Sequence, residues 1–254
     1  MELVLSQTVA RGLLVGARIS TLMVFAPFFG SGAIPARVKV GLAFFLTLAL
    51  YPSAPSLAAL TAGAWVGALL GEAIIGLILG LLMNFVFEAV YMAGQIAGFQ
   101  LGLTMETAID PTTQADSPVL NVFYQSVAML LFLELGMHHW MLKAVASSYS
   151  YLPIGASHLS RVGVKALLDA SSGMFWVGLQ LAGPVLIVTL LTDLAMGFMS
   201  KAAPQFPVVF TAIPVKVLVG TTLIALGIGF WPRILGGCFH RALSLTGQLW
   251  ALAR

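Results

Sequence analysis

From Val40 to Leu142 the chain contains no lysine or arginine, yet this mostly apolar stretch holds six acids: Glu72, Glu88, Glu106, Asp110, Asp116 and Glu134. A carboxylate at the centre of a lipid-embedded helix costs roughly 2.5–3.5 kcal/mol on insertion scales. With no cation in the same stretch, each acid is expected to face a water-filled path, a loop or a partner chain. The pattern therefore points away from a free-standing helix bundle and towards a larger assembly or a polar conduit.

Composition agrees with a membrane setting. Hydrophobic residues make up 59% of the 254 and charged residues only 8%, against about 25% charged in soluble domains. Several apolar windows reach spanning length, and no segment is polar enough to form a separate soluble domain. The expected fold class is an all-α membrane protein in a single integral domain. The net charge of +3 contains no basic run, so nucleic-acid binding has no support. The single cysteine, Cys238, excludes an internal disulfide and any CxxC motif.

Punctuation divides the chain into apolar blocks. Residues 3–29 read as a first, imperfect membrane helix rather than a cleavable leader, because Glu2 sits at the start and Arg11 and Arg18 lie inside it. These arginines are seven apart and share a face. At least one is expected to meet a protein partner, the alternative being snorkelling to an interface. A second block, from about Val40 to Tyr51, is too short to span unless it extends back through Arg37. A third, from about Ala62 to Leu103, contains Glu72 and Glu88 and is long enough to suggest a bent hairpin. Blocks from Val119 to Tyr151, Ala170 to Ser200 (with a kink expected at Pro184) and Val208 to Trp231 follow, then an amphipathic tail. Basic residues follow nearly every block, so the positive-inside rule assigns no consistent orientation.

Two tandem glycine rows, Gly63/Gly67/Gly71 and Gly94/Gly98/Gly102, let helix backbones approach closely; shorter pairs occur at Gly12/Gly16 and Gly76/Gly80. The rows are read as helix-packing interfaces. Gln95 and Gln100 flank the second row, and an amide in hydrocarbon requires a partner. Together with Arg11, Arg18, Glu72 and Glu88 they form the expected set of buried polar residues. The most polar segment is Glu106-Thr107-Ala108-Ile109-Asp110-Pro111-Thr112-Thr113-Gln114-Ala115-Asp116-Ser117-Pro118. It cannot face lipid, and Asp110-Pro111 favours a turn. It is either an exposed loop or irregular backbone folded into an aqueous pore.

Enzymatic motifs are absent. Glu134 and His138 are spaced to share a helix face, but a metal site needs three or four ligands. Neither HExxH nor a phosphate-binding loop is present. No cofactor, metal or catalytic residue is therefore expected. A proton-coupled multi-pass secondary transporter using Glu72, Glu88 and Glu134 is the alternative reading.

An ordered set of short motifs runs through most of the chain. It comprises Pro27, Ile34-Pro35-Ala36-Arg37-Val38, Glu72-x-x-x-Gly76-x-x-x-Gly80, Phe87-Glu88-Ala89, Ala93-Gly94-Gln95, Gly98-Phe99-Gln100-x-Gly102 and Asp110-Pro111. It continues with Phe132-Leu133, His138-His139, Leu152-Pro153, Ala182-x-Pro184, Ala203-Pro204-Gln205 and Pro214-x-Lys216. In this order the motifs resemble the FliR/SctT family, the R subunits of type III export gates, and the Ala-Gly-Gln and Gly-Phe-Gln pieces resemble its flagellar branch. Glu106 and Gly136-Met137 depart from that pattern. The resemblance implies broken helical hairpins packed with FliP and FliQ, and FlhB attached, in a helical multi-subunit gate of the bacterial inner membrane and flagellar basal body. It implies a P-like portion over about 1–200, a Q-like portion over about 201–254, unfolded flagellar proteins as substrates, and a pore plug over Glu106 to Pro118.

Overall fold

Prolines set most of the helix boundaries. The computed structural model describes residues 2–30, 34–54, 62–103, 119–155, 161–205 and 207–252. Helix α1 (Glu2–Phe25) stops directly before Ala26-Pro27, and α2 (Ala36–Leu50) starts directly after Pro35, whose carbonyl accepts from the Val38 and Lys39 amides. A 3-10 turn at Tyr51–Ser53, carrying Pro52, closes α2. Helix α3 covers Ala62–Gln100, α4 Val119–Glu134 and α5 Met137–Tyr151. Helix α6 covers Arg161–Ala202 and ends just before Pro204; α7 (Val208–Gly227) opens after Pro207. A 3-10 turn at Ile228–Phe230 joins α7 to α8 (Trp231–Leu252). Proline lacks an amide hydrogen and restricts the residue before it, so it marks helix starts and stops. The helical assignment nevertheless runs through Pro184 in α6 and Pro214 in α7.

Two expectations change. The third block is not a hairpin: α3 is one continuous helix of 39 residues. No proline interrupts it, and Gly76, Gly80 and Gly94 are accommodated by close neighbours rather than by a turn. The helix is closed by Gly102, with φ of 75°, where the Leu103 amide donates to the Gly98 carbonyl at 3.0 Å and the Gly102 amide to Phe99 at 3.1 Å. This is a Schellman end, which favours glycine because a left-handed residue without Cβ is unstrained there. Conversely, the fourth block is broken at Leu135-Gly136, where Gly136 adopts φ of 65°.

Four helical stretches are long and apolar enough to cross a membrane: Gln7–Phe25, Gly63–Gln100, Leu167–Ala202 and Phe210–Leu245; α4 with α5 qualify as a broken fifth. Contacts divide the chain into two units, Met1–Val86 with Gly136–Ser172 and Phe239–Arg254, and Phe87–Leu135 with Gly173–Cys238.

In the first unit α1 packs on α3 where Gly76 and Gly80 face it. A methyl at Gly80 would lie 2.8 Å from Phe25 Cβ and 3.1 Å from the Leu22 carbonyl oxygen, and one at Gly76 would collide with the Arg18 carbonyl. Leu14, Val15, Ile19, Leu22, Leu79 and Leu82 fill the surrounding core. In the second unit Gly94 meets α4, with Asn121 Oδ1 at 2.6 Å from the position a methyl would take, and Gly178 of α6 lies against Ala89 and Met92. Phe87 packs edge-on against Phe132, and Tyr124 against Trp231 at 4.6 Å between ring centroids.

Candidate functional site: a buried ion pair and open glycine faces

The charged centre of the first unit is a buried ion pair. Arg18 Nε donates to Glu72 Oε2 at 2.6 Å, and both side chains are completely shielded from solvent. The remaining guanidinium donors are also used: Nη1 reaches Ser148 Oγ at 2.7 Å and Nη2 the Leu152 carbonyl at 3.2 Å. The guanidinium lies 4.3 Å from the centre of the Tyr149 ring. On the acid side, Oε1 accepts the Gly155 amide at 3.2 Å. Gly155 has φ of 80°, a conformation open to glycine at little cost. The cluster ties α1, α3 and α5 to the turn after α5. Each charge has several hydrogen bonds, the condition under which a buried pair offsets its desolvation.

This overturns one expectation. Glu72 requires neither a water path nor a partner chain, because its cation lies 54 positions earlier in the same chain. Arg11 is also held internally: it donates to the carbonyls of Tyr51 and Ala54 and stacks over the Tyr51 ring at 4.4 Å.

The other expected buried polar residues are more open. Glu88 and Gln95 are exposed on this chain, Gln95 bonding to Tyr91 one turn back, and Gln100 is half-buried. Glu88 and Gln95 share one side of α3, away from its packed residues Ala93 and Ala97, whereas Gln100 falls on the same side as Ala89 and Ala93. Among the glycines, Gly94 and Gly98 are buried and Gly71 is half-buried, while Gly63 and Gly67 are exposed and a methyl at either would meet nothing among the described residues. Gly102 serves as the helix end described above. Residues Glu106 to Pro118, the expected plug, lie outside the described residues.

Glu134 and His138 are not on one helix, because the break at Leu135-Gly136 falls between them. The His138 and His139 rings instead lie 4.0 Å apart. Among the described residues, no three of histidine, cysteine, aspartate and glutamate are grouped to hold a metal. Sequence reasoning missed Ser148, Tyr149 and Gly155, ordinary residues until placed around Arg18. It also missed Asn121, which is fully buried with neither amide atom hydrogen-bonded among the described residues. In the second unit Lys216 pairs with Asp193 at 2.5 Å, the acid half exposed.

Long apolar helices, a wholly internal ion pair and broad exposed apolar faces define a polytopic helical membrane protein. Residues 9–242 match the model for bacterial export proteins, family 1, and the chain belongs to that family. It is 35% identical to the flagellar biosynthetic protein FliR of Escherichia coli K12 over 88% of this chain and 85% of that protein. The flagellar biosynthetic protein FliR of Bacillus subtilis is 31% identical over 84% and 83% respectively. The surface presentation of antigens protein SpaR of Shigella flexneri is 28% identical over 49% of this chain and 48% of that protein. None of these names denotes an enzyme.

Proposed function

We infer that this chain is the R-type membrane subunit of a flagellar type III export gate, required for export of flagellar proteins and for flagellum assembly. The carrying observation is similarity to FliR proteins along nearly the whole chain, with 88% of it aligned to the Escherichia coli protein. Its assembly partners are FliP, FliQ and FlhB, its substrates are unfolded flagellar proteins, and its place is the inner membrane within the basal body.

Surface chemistry supports a subunit rather than a complete pore. Leu190, Leu191, Leu194 and Phe198 on α6 and Phe210 and Leu218 on α7 are exposed large apolar residues. The faces at Gly63 and Gly67 are open to a second helix. In this reading residues about 1–200 are the P-like portion and 201–254 the Q-like portion, and Glu106 to Pro118 close the conduit at rest. A proton-coupled transporter is not favoured: Glu72, fully buried, is locked to Arg18. A clean deletion should abolish filaments and swimming, and tagged protein should copurify with FliP and FliQ. Normal filaments in the deletion strain would refute the assignment.

A further inference from the structure

A groove between α1 and α2 in the first unit is not used by the export reading. It is a cavity of about 930 Å³, within the roughly 300–1,000 Å³ of small-molecule sites. Its floor is low because small residues face each other: Gly12, Gly16 and Ala17 on α1, Ala43 and Thr47 on α2. Leu13 and Phe44 contribute apolar walls. No acid lines it.

The two ends differ. At one end stands Lys39, which has no acidic partner among the described residues. Its Nζ donates to the Gly30 carbonyl at 3.2 Å and keeps further donors for a ligand. At the other end Tyr51 lines the groove, and the nearby Arg11 is already engaged by two carbonyls and that ring. From Lys39 to Tyr51 the α2 wall is about 18 Å long at roughly 1.5 Å per residue, close to one leaflet of a ~30 Å hydrocarbon core.

A leaflet-deep apolar slot with an ammonium group at one end matches an anionic amphiphile. We propose that the α1–α2 groove holds an acyl chain of an anionic phospholipid, with its phosphate at Lys39. The apolar walls take the hydrocarbon and the Lys39 ammonium selects the headgroup, as basic residues beside membrane helices do. The proposal rests on the membrane class of the fold and not on export.

Native mass spectrometry tests it on the full chain, purified alone and as the assembled gate, then delipidated and titrated with phosphatidylglycerol or phosphatidylcholine. Both preparations should retain one phosphatidylglycerol per chain, preferred roughly fivefold over phosphatidylcholine given one nearby cation. Gly12→Phe, which projects into open space, should remove the bound lipid; Ala43→Leu on the opposite wall should weaken it, providing a second filled groove if the first variant misfolds. Lys39→Gln should keep a bound lipid but lose the preference for phosphatidylglycerol. The proposal falls if the chain retains no lipid, if folded groove-filling variants retain it unchanged, or if Lys39→Gln keeps the preference. Lipid present on the isolated chain but missing from the assembled gate would assign the groove to a partner helix and equally overturn it.

Discussion

Arg18 and Glu72 satisfy each other at 2.6 Å with no solvent access to either side chain. Removing one partner leaves the other as an uncompensated buried charge, which typically costs about 3–5 kcal/mol. Arg18→Met or Glu72→Leu alone should therefore sharply lower cellular abundance and the melting temperature in detergent. The double variant should recover much of the loss, because apolar replacement of both charges removes the desolvation cost as well. Thermal melts of the three variants check this. A double variant no better than the worse single would show that the pair's links to Ser148, Leu152 and Gly155 dominate.

The glycines of α3 should separate into two groups. Gly76→Leu and Gly80→Leu thrust side chains into the backbone of α1 and should destabilise the chain itself by about 1–3 kcal/mol, as overpacking does. Gly67→Leu points into open space, so the purified chain should melt as wild type while recovery of the complex with FliP and FliQ falls. Melting curves and pull-downs on the same three proteins distinguish the groups. Wild-type complex yield and motility for Gly67→Leu would make that face ordinary membrane surface.

Gly102→Ala should fray the end of α3. A left-handed residue with a Cβ costs roughly 1–2 kcal/mol, and the Leu103 to Gly98 bond depends on that conformation. Hydrogen exchange should rise at the amides of Gly102 and Leu103 while the interior of α3 remains protected. Unchanged exchange at both amides would mean that the helix end is held by something other than its own turn.

If Glu106 to Pro118 close the conduit, removing Thr112 to Ala115 should leave assembly intact and raise ion conductance across membranes that contain the gate. Conductance of the shortened gate equal to the closed wild type would move the seal to the partner subunits.

Several helix ends were legible in the sequence, such as the stop near Tyr51 and the start at Val208, because proline acts locally. The starts at Ala36 and Arg161 lie earlier than the expected Val40 and Ala170, because polar and basic residues at those ends broke the apolar pattern without breaking the helix. What local patterns could not supply was pairing. Arg18 and Glu72 each stand out as costly in an apolar helix, but nothing in either segment names the other, and their meeting depends on α1 reaching α3. The glycine rows illustrate the same point. A row marks where close approach is possible, and the facing helix decides whether it happens; the shorter Gly76/Gly80 pair is filled while Gly63 and Gly67 stand open. The unbroken α3 was misread because interior acids and excess length imitate a turn, and the neutralisation of Glu72 removes one reason to expect it.

At roughly 1.5 Å per residue α3 is about 58 Å long and α6 about 63 Å, each near twice a ~30 Å hydrocarbon core. Ordinary tilts, averaging about 20°, absorb little of that excess. Both helices are apolar along nearly their whole length, so a copy without partners leaves oily surface standing in water. To the quality-control machinery of a cell such an orphan resembles an unfolded protein, however sound its internal ion pair. Its lifetime should then be set by the supply of the subunits that cover it, which makes abundance of the lone chain a direct gauge of assembly.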